Sequence, residues 1–127
     1  MKPTILIVDD EFPIRKLLDF FLSKTYNVVV LENAYEAMNW LIKGNLPDAI
    51  ILDIEMPKLN GKDLLIEIKK EVRFSLIPII MLSGNEKTSE RIECLNSGAD
   101  DYMIKPFNPQ ELEVRINNIF KRIQKVA

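Results

Sequence analysis

Short apolar runs alternate with stretches of helical periodicity along the whole chain, and few folds accept that alternation. The runs are Ile5–Val8, Val28–Leu31, Ala49–Leu52, Ile77–Leu82 and Tyr102–Ile104. After the first, Ile14, Leu17, Leu18, Phe21 and Leu22 recur at helical spacing, with Pro13 suited to the first turn. Ala34, Ala37, Met38, Leu41 and Ile42 mark a second helix that Gly44 would stop. Leu64, Leu65, Ile68 and Val72 mark a third, begun after a turn at Gly61, while Pro47 precedes the third strand. A fourth helix, over about Lys87–Ser97, carries only Thr88, Ile92 and Leu95 as a thin inward stripe and ends at Gly98. Leu112, Ile116, Ile119, Phe120 and Ile123 mark the last, with Pro109 in its first turn and Asn108 as cap.

The pattern is (βα)₅. Runs one, three and four are unbroken apolar segments, as expected of strands covered on both faces. Right-handed crossovers then make an α/β fold with a doubly wound, five-stranded parallel sheet, in the flavodoxin-like order 2-1-3-4-5. The 127 residues suit one domain, expected over 1–127, and the chain stops soon after the fifth helix. A hydrophobic fraction of 47% is enough for a core. The net charge of −2 argues against a nonspecific nucleic-acid or membrane-surface binder. No apolar run approaches the ~20 residues of a membrane span, and no signal peptide is evident. The single Cys94 rules out an internal disulfide and fits a reducing cytosol. There is no histidine, which excludes a Ser-His-Asp triad, a His-ligated zinc site and a phosphohistidine carrier.

Four of the runs end in residues suited to phosphate chemistry: Asp9-Asp10, Asp53, Ser83 and Lys105-Pro106. In an open parallel sheet ligands bind outside the carboxyl ends of the strands. Parallel strands would therefore bring three carboxylates, a hydroxyl and an ammonium into one crevice. Carboxylates so close repel, and a hard divalent cation with oxygen ligands neutralises them; Mg²⁺ suits this. Asp53 is a candidate nucleophile, because a carboxylate can attack phosphorus to give an acyl phosphate. Lys105 and the metal would stabilise the charge that develops, and Ser83 could donate to a phosphoryl oxygen. Taken singly, Asp9-Asp10 or Ser83 would read as helix caps and Lys105 as a surface lysine; their joint occurrence is what points to a site.

The chain resembles a bacterial two-component response-regulator receiver domain over essentially its whole length. The resemblance rests on Val8-Asp9-Asp10-Glu11, on Leu52-Asp53-Ile54-Glu55-Met56-Pro57-Lys58-Leu59-Asn60-Gly61, on Met81-Leu82-Ser83-Gly84, and on Gly98–Phe107 with Asp100-Asp101-Tyr102 and Lys105-Pro106 inside it. It implies Asp53 as phosphoacceptor, with Asp9, Asp10, Asp53 and the backbone carbonyl of Glu55 around Mg²⁺. It also implies Lys105 as the phosphate-binding lysine, Ser83 as the switch hydroxyl, Tyr102 as the switch aromatic and a cis Lys105–Pro106 bond. Such a domain catalyses only its own phosphorylation and dephosphorylation and is not otherwise an enzyme. Its donor would be a sensor histidine kinase or a phosphotransfer protein, in the cytoplasm.

Phosphorylation adds ~−1.5 to −2 of charge. It would draw Ser83 inward and let Tyr102 swing into the space behind, shifting a two-state balance, which takes ~5 kcal/mol of differential binding. The thin stripe of the fourth helix suits a movable element. Helix 4, strand 5 and helix 5 would form the output face. There Arg91, Glu93, Asp100, Asp101, Glu113, Arg115 and Arg122 could pair across a symmetric homodimer. Trp40 reads as partly packed, Met38 and Met81 as core, and Cys94 as an exposed thiol. The Ala99-Asp100-Asp101-Tyr102 run and the Glu111–Ile116 helix resemble receivers joined to winged-helix DNA-binding domains, which favours an excised receiver slightly over a stand-alone one.

Two other readings compete. A Mg²⁺-dependent phosphatase with an aspartyl nucleophile would need a second Asp two residues on, where this chain has Glu55. A nucleotide- or flavin-binding module would need a Gly-rich loop after the first strand, where the chain has Asp9-Asp10-Glu11-Phe12-Pro13.

Overall fold

The computed structural model describes residues 2–126, so Met1 and Ala127, the ends of the expected domain, lie outside the described residues. Five strands alternate with five helices: β1 (Thr4–Val8), α1 (Phe12–Leu22), β2 (Asn27–Leu31), α2 (Ala34–Ile42), β3 (Ala49–Asp53), α3 (Gly61–Lys70), β4 (Ile79–Ser83), α4 (Thr88–Asn96), β5 (Asp101–Ile104) and α5 (Pro109–Val126). All strand pairs are parallel, in the order β2-β1-β3-β4-β5. The flavodoxin-like doubly wound sheet expected from the alternation is therefore present.

Strand side chains alternate faces, and each face has its own core. Leu6, Val8, Ile50, Leu52, Ile79 and Met81 pack under α2 and α3. Ile5, Ile7, Ile51, Ile80, Leu82 and Met103 pack against α1 and α5. β3 and β4 are buried along their whole length, which is why their sequences carry no polar alternation. The helix ends follow local chemistry. Asn33 and Asn60 accept from the backbone N–H groups of Glu36 and Asp63, each at 2.9 Å, and Asn108 accepts from Gln110 N at 2.8 Å. Gly44 and Gly98 take φ of 108° and 111°, left-handed values that end α2 and α4.

Three expectations fail. Val72 lies beyond the end of α3 and is 89% exposed; Phe74, two residues on, is fully buried and fills the core from that connection, with Ile77 buried after it. The inward stripe of α4 is not Thr88, Ile92 and Leu95. Thr88 is exposed, and Ile92 and Leu95 are 51% and 43% exposed, whereas Glu90 and Ser97 are half-buried and Cys94 is fully buried. The true stripe runs 90–94–97, two residues out of phase with the apolar letters. Cys94 is accordingly no exposed thiol: burial, with Glu90 nearby, pushes it up to about 11. At the other helices Leu17, Ile42 and Ile123 are exposed at the margins of their stripes. Trp40 is half-buried, Met38 is half-buried against the core and Met81 is buried.

Candidate functional site: a carboxylate crevice at the strand ends

The strand order makes β1 the point where the winding reverses, and β1 and β3 are neighbours there. Asp9 follows β1, Asp53 is the last residue of β3, Ser83 the last of β4, and Lys105 follows β5. Asp9, Asp53 and Ser83 are fully buried polar side chains, while Asp10 is exposed at the rim. A Cβ at Gly61 would fall onto the Asp53 carbonyl, so the chain leaving β3 turns tightly enough to start α3 beside the site only with glycine there.

The Lys105 ammonium reaches all of the inner carboxylates. It lies 3.2 Å from Asp53 Oδ1, 3.1 Å from Asp9 Oδ2 and 2.8 Å from Glu11 Oε1. The Lys105–Pro106 bond is cis. Asp9 Oδ1 accepts from Glu11 N at 2.8 Å, and Asp53 Oδ1 from Glu55 N at 3.3 Å. Asp9 Oδ2 and Asp53 Oδ2 have no hydrogen-bond partner among the described residues; Lys105 sits beside the first at ion-pair distance but off the hydrogen-bond direction.

Burial, with the charge of Asp9 added, pushes Asp53 up to about 8 against the pull of Lys105. Burial also raises Asp9. For Lys105 burial pulls downward, but the Glu11 hydrogen bond and the charges of Asp53 and Asp9 outweigh it, so the ammonium is held above the ordinary lysine value. One cation thus serves more negative charge than it can neutralise.

Carboxylate oxygens of Asp9, Asp10, Glu11 and Asp53 can lie within 4.8 Å of one another. Hard oxygen donors, an excess of negative charge and two buried carboxylate oxygens without a hydrogen bond fit a magnesium ion. Three of these were expected, and Glu11 was not. Its place in the Asp9-Asp10-Glu11 run was the available signal, but as a third acid in a loop it reads as solvated. Glu55, expected to face the metal through its backbone carbonyl, turns its side chain away. Its Oε2 lies 3.0 Å from Ser83 Oγ and its Oε1 accepts from Gly84 N at 2.6 Å.

Tyr102 is 5% exposed, so its ring is already inside and needs no swing to become buried. Burial, with Glu90 beside it, pushes its phenol up to about 12. Its hydroxyl donates toward Glu90 Oε1 at 2.9 Å and Asn85 O at 3.2 Å. Charges on the expected output face find partners within the chain. Arg115 grips both oxygens of Asp101 at 2.8 and 2.9 Å, Lys62 pairs with Glu93 at 2.6 Å, and Thr25 donates to Glu113 at 2.9 Å.

A doubly wound sheet with buried acids, a hydroxyl and a lysine at its carboxyl edge has the architecture and the edge residues of a receiver domain, and the loop after β1 carries none of the glycines of a nucleotide-binding one. Residues 5–117 match the family model of the response regulator receiver domain, and the chain belongs to that family. It is 47% identical over 127 residues to a probable transcriptional regulator, ycf27, of Guillardia theta, covering 99% of this chain and 48% of that protein. The chain spans about half the length of the curated relatives it matches. Among solved structures, a receiver domain of Francisella response regulator 1452 superposes with a TM-score of 0.87 at 35% identity, covering 95% of this chain and 98% of that one. A CheY-like receiver domain protein of Methanospirillum hungatei superposes with a TM-score of 0.91 at 28% identity over the whole of both chains. No helix among the described residues is long and apolar enough to cross a membrane.

Proposed function

We propose that this domain is a phosphorylation-activated switch that accepts a phosphoryl group on Asp53 from a sensor histidine kinase or a phosphotransfer protein in the cytoplasm. The observation that carries the reading is the buried Asp53 carboxylate beside Asp9 and 3.2 Å from the Lys105 ammonium. A carboxylate oxygen of Asp53 forms the O–P bond as the N–P bond of the donor phosphohistidine breaks; the imidazole nitrogen leaves with the electron pair and takes up a proton. Lys105 pairs with a phosphoryl oxygen, and Ser83 donates its hydroxyl hydrogen to another. Asp9, Asp10 and Asp53, with the backbone carbonyl of Glu55, would hold Mg²⁺, whose charge offsets that of the phosphoryl oxygens. The domain has no other catalytic activity and does not itself bind nucleic acid, which agrees with its net charge of −2. The family membership favours this reading over an aspartyl phosphatase, and multiple turnover of small phosphate esters would reverse that preference.

Intact-protein mass after incubation with acetyl phosphate tests it. Wild type gains one phosphoryl group only when Mg²⁺ is present, and Asp53→Asn gains none. Labelling of the Asn variant would move the nucleophile elsewhere.

The output passes through α4, β5 and α5, and phosphorylated copies pair through that face. An open groove of about 690 Å³ runs there beside Asp101, Arg115 and Arg122. Sedimentation is expected to show a dimer only after phosphorylation; a phosphorylated form that stays monomeric at high concentration sinks the pairing.

A further inference from the structure

Glu90 stands in the first turn of α4 and reaches back to the strand ends. Its Oε1 lies 3.0 Å from Ser83 Oγ and 2.9 Å from the Tyr102 hydroxyl, so one carboxylate oxygen bridges the two side chains of the switch. Ser83 Oγ has three such neighbours. Asn85 N donates to it at 2.9 Å, while Glu55 Oε2 and Glu90 Oε1 face it at 3.0 Å each. A serine hydroxyl has one hydrogen. Two carboxylates therefore share a single donor before any phosphoryl group arrives.

A phosphoryl oxygen on Asp53 that takes this hydrogen takes it from both. The consequences for the two acids differ. Glu55 keeps the Gly84 N–H at 2.6 Å. Glu90 keeps only Tyr102 and is left with its lone pairs facing those of Ser83. The helix that carries it is loosely seated: Cys94 is its one buried residue, and the 2.6 Å Lys62–Glu93 pair that ties it to α3 is exposed. The first turn of α4 is the part with the least to hold it when the Ser83 bond is lost.

Resting on the receiver reading above, we propose that Glu90 is a positioning residue that competes with the phosphoryl group for the Ser83 hydroxyl and thereby passes the phosphorylation state to α4. The proposal differs from a purely packing role in its sign. A side chain that merely supports the loop weakens phosphoryl binding when it is changed; a competitor strengthens it.

The probe is beryllofluoride, which stands in for a phosphoryl group on a carboxylate, titrated with saturating Mg²⁺ onto the full chain and followed by backbone amide NMR. Glu90→Gln is expected to lower Kd about tenfold, because an amide can donate to Ser83 Oγ instead of claiming its hydrogen. Glu90→Asp keeps the charge but draws the carboxylate back by one methylene, and it is expected to tighten binding as well. It also serves if the Gln variant folds poorly. Glu86→Gln removes the same charge from an exposed position of the same loop and leaves Kd unchanged. In a Ser83→Ala background, Glu90→Gln has no further effect, since the contested hydrogen is gone. Unchanged or weaker binding by both Glu90 variants overturns the proposal. So does equal tightening by Glu86→Gln, or tightening that survives in the Ser83→Ala background, for either would make charge alone the cause. A folded wild type that takes up no beryllofluoride overturns the receiver reading, and the proposal with it.

Discussion

Lys105→Met is expected to lower the stability of the divalent-free domain by about 3–5 kcal/mol at neutral pH. The ammonium lies within 3.2 Å of both Asp9 and Asp53, which are fully buried. Methionine keeps much of the volume and removes the charge, so the carboxylates lose their counter-ion without gaining water. They respond by holding protons more tightly, and that uptake is what costs stability as pH rises. The sign for the lysine itself is simple. Its folded value is raised, so its contribution is complete at neutral pH and is lost only as pH climbs through that raised value. The loss in the variant therefore shrinks toward pH 5, where the carboxylates are protonated at little cost. Excess Mg²⁺ should restore much of it by supplying the missing positive charge. Urea unfolding in EDTA and in Mg²⁺ measures both effects. A loss under about 1 kcal/mol in EDTA, the size expected of an exposed pair, would mean that water rather than Lys105 balances the acids.

The parts of this molecule that were legible in advance are those set by strand chemistry. Ile5–Val8 and Ala49–Leu52 are apolar on both faces because helices cover both faces, and that pattern has few other meanings. Once the strands are parallel, Asp9, Asp53, Ser83 and Lys105 have to emerge at one edge, so the inner site follows from position in the chain. α4 was misread because its apolar letters mislead. Thr88, Ile92 and Leu95 share a helical face, but that face looks outward, as much apolar surface does in any folded protein. Cys94 was the better guide, since unpaired cysteine is among the most buried residue types. Glu90 was missed for the same reason. A glutamate in a first helical turn reads as a favourable partner for the helix dipole, and only the fold reveals the two hydroxyls it faces. Glu11 needed the position of the Lys105 side chain, and the inward ring of Tyr102 needed the packing of α4. Val72 continued a helical stripe past a helix that stops at Lys70; Phe74 fills the core from the loop instead.

Asp53→Asn is expected to act in the opposite direction and raise the stability of the divalent-free domain, by ~1–4 kcal/mol near pH 8. Burial first, then the neighbouring Asp9, lifts Asp53 from an ordinary 3.8 to about 8 in the folded chain. A group whose folded value is raised contributes stability that is complete below its unfolded value and disappears as pH rises through its folded value. The wild type should therefore lose stability between about pH 4 and pH 8 from this group, a loss that Lys105 moderates and that asparagine, which does not titrate, avoids. The gain from the substitution should be small at pH 5 and largest at pH 8. Mg²⁺ should reverse the order, since the wild type keeps a ligand that the variant lacks. Thermal unfolding at the two pH values, in EDTA and then in Mg²⁺, provides the four numbers required. An asparagine variant that is less stable than wild type at pH 8 in EDTA would show that the ionised carboxylate is already satisfied, and the excess charge inferred for the crevice would be wrong. If the order holds, the strain has a use. A carboxylate that destabilises its own fold is relieved by a cation or a phosphoryl group with its ion, so occupancy of the site and the stability of the strand ends become one variable, available to Ser83, Glu90 and the helix they hold.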